Sequence, residues 1–437
     1  MTSTYLQQFA NAASNGAARP QWLVPLRRSA IRRFEELGFP TMRNEDWHFT
    51  SVAPIAQHDF RAAPPSDGSV QRSDIERFAF GHPEWHRMVF VNSRFDAGLS
   101  SLTGLSSGVT VRDLSSAWNE EDALVESQIG TLAGFESSAF TALNTALMRD
   151  GALIHVAAGA AADVPIQLLF ISDGSATDIV TFPRVFVLAE RNSRATVIES
   201  YASATDATYF TNAVTEIRLG EGARVDHYKI QDEGRNAYHV GTVEARQERS
   251  SRFTSFSYAV GAALSRTNIY TTLDGPGAEA WLDGLYMVDG KQHVDHQTRI
   301  EHVAPDCNSY EVYKGVLDGS SHGVFNGKVY VHPEAQKTDG KQSNANLLLS
   351  PKAQIDTKPQ LEIFADDVKC THGATVGRLD ENALFYMKSR GIGSELARTL
   401  LTYAFAAEVL ERIELDAIRE GLESKVLERF TGHGGLE

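Results

Sequence analysis

The chain has 437 residues, 42% hydrophobic and 22% charged, enough to bury a substantial core in two or three domains. A net charge of −15 argues against a nucleic-acid partner held through its phosphates and against an anionic membrane surface. No window offers the roughly 18 apolar residues of a membrane span, no secretory signal is visible, and two cysteines point to a reducing cytoplasm.

In chain order, residues 1–150 read as a mainly helical N-terminal region. Residues 1–20 are polar, a frayed end or a short helix. From Pro25 onward Leu26, Ala30, Phe34 and Leu37 share one helical face, and Gly38 is a natural stop. The acidic-aromatic box FPTMRNEDWHFT (39–50) places Trp47 and Phe49 as anchors against the body. Residues 61–85 read as a connector, Met88 to Asn92 as a short strand, and 118–130 and 137–148 as helices.

After Gly151 the composition turns to Val, Ile, Thr, Tyr and Phe, punctuated by turn residues, up to about Gly377. Within this stretch small residues that follow a turn recur at 193, 223, 251, 278, 309, 335 and 353 and then at Val368, with the last two intervals shortened to 18 and 15. Strand-and-turn units at near-constant spacing are the signature of a β-solenoid, though ordinary sandwiches also turn every 8–12 residues. Residues 378–437 are helical again. Ser394 is a candidate cap, Leu396, Leu400, Leu401, Ala404, Phe405 and Val409 form a broad apolar stripe, and Ile418, Leu422 and Val426 continue it. Such helices either cap the end of the stack or offer a docking face.

Cys370 and His372 stand two residues apart, so on a strand both side chains share a face. A thiolate and an imidazole are two metal ligands where about four are needed, so they are half of a site or no site at all. His296 and His302 would share a strand face and His293 the opposite one, so these three make no one-faced triad and fit buried or cross-coil hydrogen bonding. His322 and His332 stand alone. The patterns GLSSG (104–108) and GSSHG (319–323) lack the strand–turn–helix setting of a nucleophilic serine, and no Gly-Lys belongs to a phosphate loop. No catalytic constellation is present, and the chain is expected not to be an enzyme.

The segment CTHGATVGRLDENALFYMKSRGI, preceded by GVFNGKVYVHPEAQKTDGKQSNANLLLS, closely resembles the SufD branch of the SufB/SufD family of iron–sulfur cluster assembly proteins. The 39–50 box is a second point of likeness. The similarity runs from about Phe39 to about Ile413 and is densest over 316–408. The resemblance implies a mainly β protein, with a right-handed parallel β-helix core (151–377) between N-terminal (1–150) and C-terminal (378–437) helical regions. It implies pairing with a SufB-like paralogue through the β-helices, and a SufC-like ATPase on the C-terminal helices, bordered by Leu400, Leu401 and Phe405. The family's paired Cys and His fall on Cys370 and His372. They imply iron or a nascent cluster shared transiently with the paralogue and not held stably by this chain alone. Without that paralogue, the uncovered last coil is expected to give a homodimer. The alternatives are the paralogous scaffold itself, disfavoured by the scarcity of cysteine, and a carbohydrate-active β-helix enzyme, disfavoured by the lack of a dense Asp array.

Overall fold

The computed structural model describes residues 2–14, 20–66, 68–119, 123–174 and 176–431. From residue 151 to residue 377 the chain winds back and forth between two parallel sheets, a right-handed parallel β-helix. The front sheet ends on His293–His302, His322–Val331 and Gln354–Ile363. The back sheet ends on Asn308–Leu317, Asp339–Leu348 and Lys369–Gly377. The solenoid starts earlier than composition suggests, because His86–Val91 pairs in parallel with Ile166–Ser172 and extends the back sheet.

Strand register gives the true period. The first positions of successive back-sheet strands are Arg194, Arg224, Arg252, Glu279, Asn308, Asp339 and Lys369, spaced by 30, 28, 27, 29, 31 and 30. The coils therefore do not shorten. The turn at Ala353 leads into a front-sheet strand, and turns entering the two sheets look alike in sequence. Cys370 nevertheless lies in the final strand.

Inward-facing residues of both sheets fill the lumen. It is aliphatic in the early coils, where Val185, Val187, Val197 and Ile217 are fully buried, and aromatic and polar in the later ones. Gly284 and Gly315 have a steric cause there. A Cβ on Gly315 would lie 2.2 Å from the Tyr286 ring, and one on Gly284 would lie 2.3 Å from the Tyr313 ring.

Helices cover the flanks of the solenoid. The helix Leu23–Leu37 stops at Gly38 (φ 64°), and it buries Arg27 as well as Ala30, Ile31 and Phe34, while Leu26 is only half-buried. It packs with Ala139–Leu147 over the front sheet at Val180, Phe182, Phe210, Val240 and Leu264. Residues 2–14 are helical, and the presumed connector contains the helix Arg72–Phe78, which starts at a capping box of Gln71 and Asp74.

At the other end of the chain Ser394–Leu410 and Asp416–Thr431 lie along the back sheet and do not cap the stack. Val409, Leu410, Ile418, Leu422 and Val426 are buried against the strand residues Tyr228, Ile230, Tyr258 and Leu285. Charged pairs span this seam on successive strands: Lys425 to Asp232 (2.8 Å), Arg252 to Glu414 (3.2 Å), Arg412 to Asp283 (2.8 Å) and Lys314 to Glu408 (2.5 Å). Gly393, not Ser394, occupies the helix cap.

Candidate metal half-site

Cys370 and His372 sit on Lys369–Gly377, which pairs on one side with Asp339–Leu348 and, among the described residues, has no strand on the other. The side-chain period of two places both on the lumen-facing columns. Cys370 continues the column of Gly340, Ser309 and Ala280, and His372 continues that of Gln342, Glu311 and Leu282. His372 is exposed and Cys370 half-buried, packed against the small cluster of Val329, Val331, Ala335 and Ala365. Burial pushes the Cys370 thiol above its ordinary value, against a backbone hydrogen bond with Gly340, with Asp339 adding to the rise. Among the described residues no group of three or more His, Cys, Asp or Glu side chains could hold a metal. The second cysteine, Cys307, is a lumen residue whose thiol donates to the Gly275 carbonyl oxygen at 3.4 Å.

The histidines between 293 and 332 have structural partners. His296 and His302 face inward, where Nε2 of His296 lies 3.1 Å from the Ser257 hydroxyl and that of His302 lies 2.9 Å from the Ser309 hydroxyl. Burial lowers them to about 3 and about 4 respectively, so both stay neutral. His293 faces outward beneath the N-terminal box, 2.9 Å from the Thr50 hydroxyl. His322 and His332 are not alone, since they pair with Asp356 and Glu301 across neighbouring coils, each at 2.7 Å.

The N-terminal box is a strap over the front sheet. Arg266 lies 3.7 Å from the centroid of the Trp47 ring and donates to the Asp46 carbonyl and to Asp295, while Thr50 also donates to Asp295. Glu45 reaches Lys358 in the last front-sheet strand at 3.0 Å. Trp47 is thus the anchor, and Phe49 is half-buried with its ring against His48.

The three residues expected at a docking border separate. Leu400 is exposed and Leu401 half-buried, whereas Phe405 is turned to the solenoid, its ring 4.4 Å from the Lys314 ammonium. The sequence stripe merges two sides of the helix, one of which is buried through Ala397, Thr402, Ala406 and Val409. The other side carries Leu396 and Leu400, and the helix is in contact with Glu381–Ser389, whose Phe385 and Tyr386 are 73% and 59% exposed. Sequence reading missed this pair. Their one signal is two adjacent aromatics on a short helix with few other apolar residues to pack beside them.

Comparison with known proteins agrees with this architecture. The family model "SUF system FeS cluster assembly, SufBD core domain" matches residues 170–405, and "SufBD protein N-terminal region" matches residues 1–168. The chain is 35% identical to an iron–sulfur cluster assembly SufBD family protein of Synechocystis, over 96% of this chain and 94% of that one. It is 31% identical to the iron–sulfur cluster assembly protein SufD of Escherichia coli, over 93% of each. It is 28% identical to SufD of Bacillus subtilis, over 97% of each. With the two family models together matching residues 1–168 and 170–405, the chain belongs to the SufBD family of the SUF iron–sulfur cluster assembly system.

Proposed function

We propose that this chain is a SufD-type scaffold subunit that pairs with a SufB-like paralogue, binds a SufC-like ATPase and works in the cytoplasm. The observation that carries the reading is the Cys370–His372 pair on a last strand with one free edge. Thiolate and imidazole fill part of a coordination shell, so iron or a nascent cluster is cargo that needs ligands from a second chain. The free edge offers unpaired backbone groups to such a chain, and in its absence to a second copy of this one. A site shared between chains is made and broken by moving one against the other, and this chain needs no catalytic group of its own.

The ATPase is assigned to the surface of Phe385, Tyr386, Leu396 and Leu400, with Leu401 and Phe405 at its inner border. The helix beneath that surface is ion-paired to the back sheet through Glu408 and Lys314, and the turn after it through Arg412 and Asp283, so a pull on the helix acts on the coils. Deleting the C-terminal helices is a poor test, because it strips Val409, Leu410 and Ile418 from the flank. The test is co-purification with the SufB-like and SufC-like proteins of the same cell. Phe385→Asp combined with Leu400→Asp is expected to lose the ATPase and keep the paralogue. Wild-type capture of the ATPase by this variant overturns the assignment, and failure to capture the paralogue by the unaltered chain overturns the scaffold reading.

A further inference from the structure

The residue under His372 carries a buried oxygen with no partner. Gln342 is its register partner, one strand spacing of about 4.8 Å away, and its side chain is 96% buried on the same lumen-facing column. Two contacts fix the amide. Its Nε2 donates to Glu311 Oε2 at 2.6 Å, one coil further in. The nitrogen also lies over Gly327, where a Cβ would stand 2.2 Å from it, so that glycine is required for the amide to fit. The oxygen, Oε1, is buried and accepts no hydrogen bond. An unshared amide oxygen in a lumen has lost its water without gaining a donor, and the nearest rung beyond it carries an imidazole.

We propose that Gln342 is the positioning residue of His372: its free Oε1 takes the ring N–H and turns the other ring nitrogen out towards the strand edge. The inference rests on the reading of His372 as a ligand. Ligating histidines usually donate their second ring N–H to an oxygen acceptor, which fixes the tautomer, and loss of such an acceptor costs about 10–100-fold in metal affinity. Glu311 takes part as the anchor of the amide, one step further from the metal.

Selective ¹⁵N labelling of histidine rings in the full chain tests this, with the His372 signal assigned by its disappearance in His372→Gln. The wild-type ring is expected to show one fixed tautomer. Gln342→Met should move its shifts to those of free histidine, while Gln342→Glu combined with Glu311→Gln, which keeps an acceptor oxygen at 342 and moves the anchoring donor to 311, should restore them. In the assembled complex Gln342→Met should lower iron affinity about tenfold. Free-histidine shifts in the wild type overturn the inference even if Gln342→Met fails to fold, and so do shifts that Gln342→Met leaves unchanged. If instead His372→Ala loads iron normally while the ring shifts respond to Gln342, the ligand reading falls and the positioning contact stands.

Discussion

Removing the imidazole of His372 should affect iron and spare the fold, because the ring is exposed on a strand with a free edge. His372→Ala is expected to change stability by less than about 0.5 kcal/mol, because water at the exposed edge takes the ring's place at the Gln342 oxygen, and to leave the three-protein complex intact but poorer in iron. Cys370→Ala differs, since the thiol is half-buried against Val329, Val331 and Ala335 and its loss should also cost about 1 kcal/mol. Iron content and melting temperature measured on the same preparations separate the two effects, and a His372→Ala complex with wild-type iron would sink the ligand reading. At this scale Cys370 and His372 were legible because a period of two suffices to put them on one face. Gln342 was not, because only the register between strands sets it beneath His372, 30 positions along the chain.

The elements that cover the solenoid carry an acid–base signature. Asp283 is buried under Arg412, and burial raises its carboxyl to about 6 despite the guanidinium. An acid whose folded value lies above its unfolded value of about 3.9 binds more protons when folded, so its ionisation weakens the fold as pH rises. That cost grows from about pH 4 and is complete above about pH 6. Asp283→Asn, which cannot ionise, should therefore gain about 1–1.5 kcal/mol on the wild type between pH 5 and pH 8. Urea unfolding at the two pH values measures it, and a gap that narrows towards pH 8 would mean that Arg412 outweighs burial. Helical periodicity found these elements but not their sides. Leu396 and Leu400 are as apolar as Val409 and Leu410, and hydrophobicity alone cannot tell the face a helix gives its own body from the face it leaves bare.

For the whole molecule, the solenoid was legible because strand, turn and small residue recur at nearly thirty positions, and one coil looks like the next. The same likeness misled at the far end, where the Ala353 turn of the front sheet stood in for a back-sheet turn and produced a false shortening. No periodicity reveals the strap over Arg266, which joins residues more than two hundred positions apart. The open end is expected to set the assembly state. The isolated chain is expected to dimerise through the Lys369–Gly377 edge, and Val376→Arg, at a position 51% exposed, should return it to a monomer. Light scattering at micromolar concentration decides, and a wild-type monomer would refute the pairing.

A stack braced by helices over its middle coils and bare at its last ones does not open as one unit. In a quasi-one-dimensional array each coil is held by its neighbours, so the final coil, with a neighbour on one side only, frays at the lowest free energy. Amide hydrogens of Gln354–Ile363 and Lys369–Gly377 should exchange with solvent long before those of Arg224–Asp232 or Leu264–Leu273, which lie under helices. Docking of a second chain would then act as the missing neighbour and slow that exchange. Cargo capture and the completion of folding would be one event at this end of the molecule.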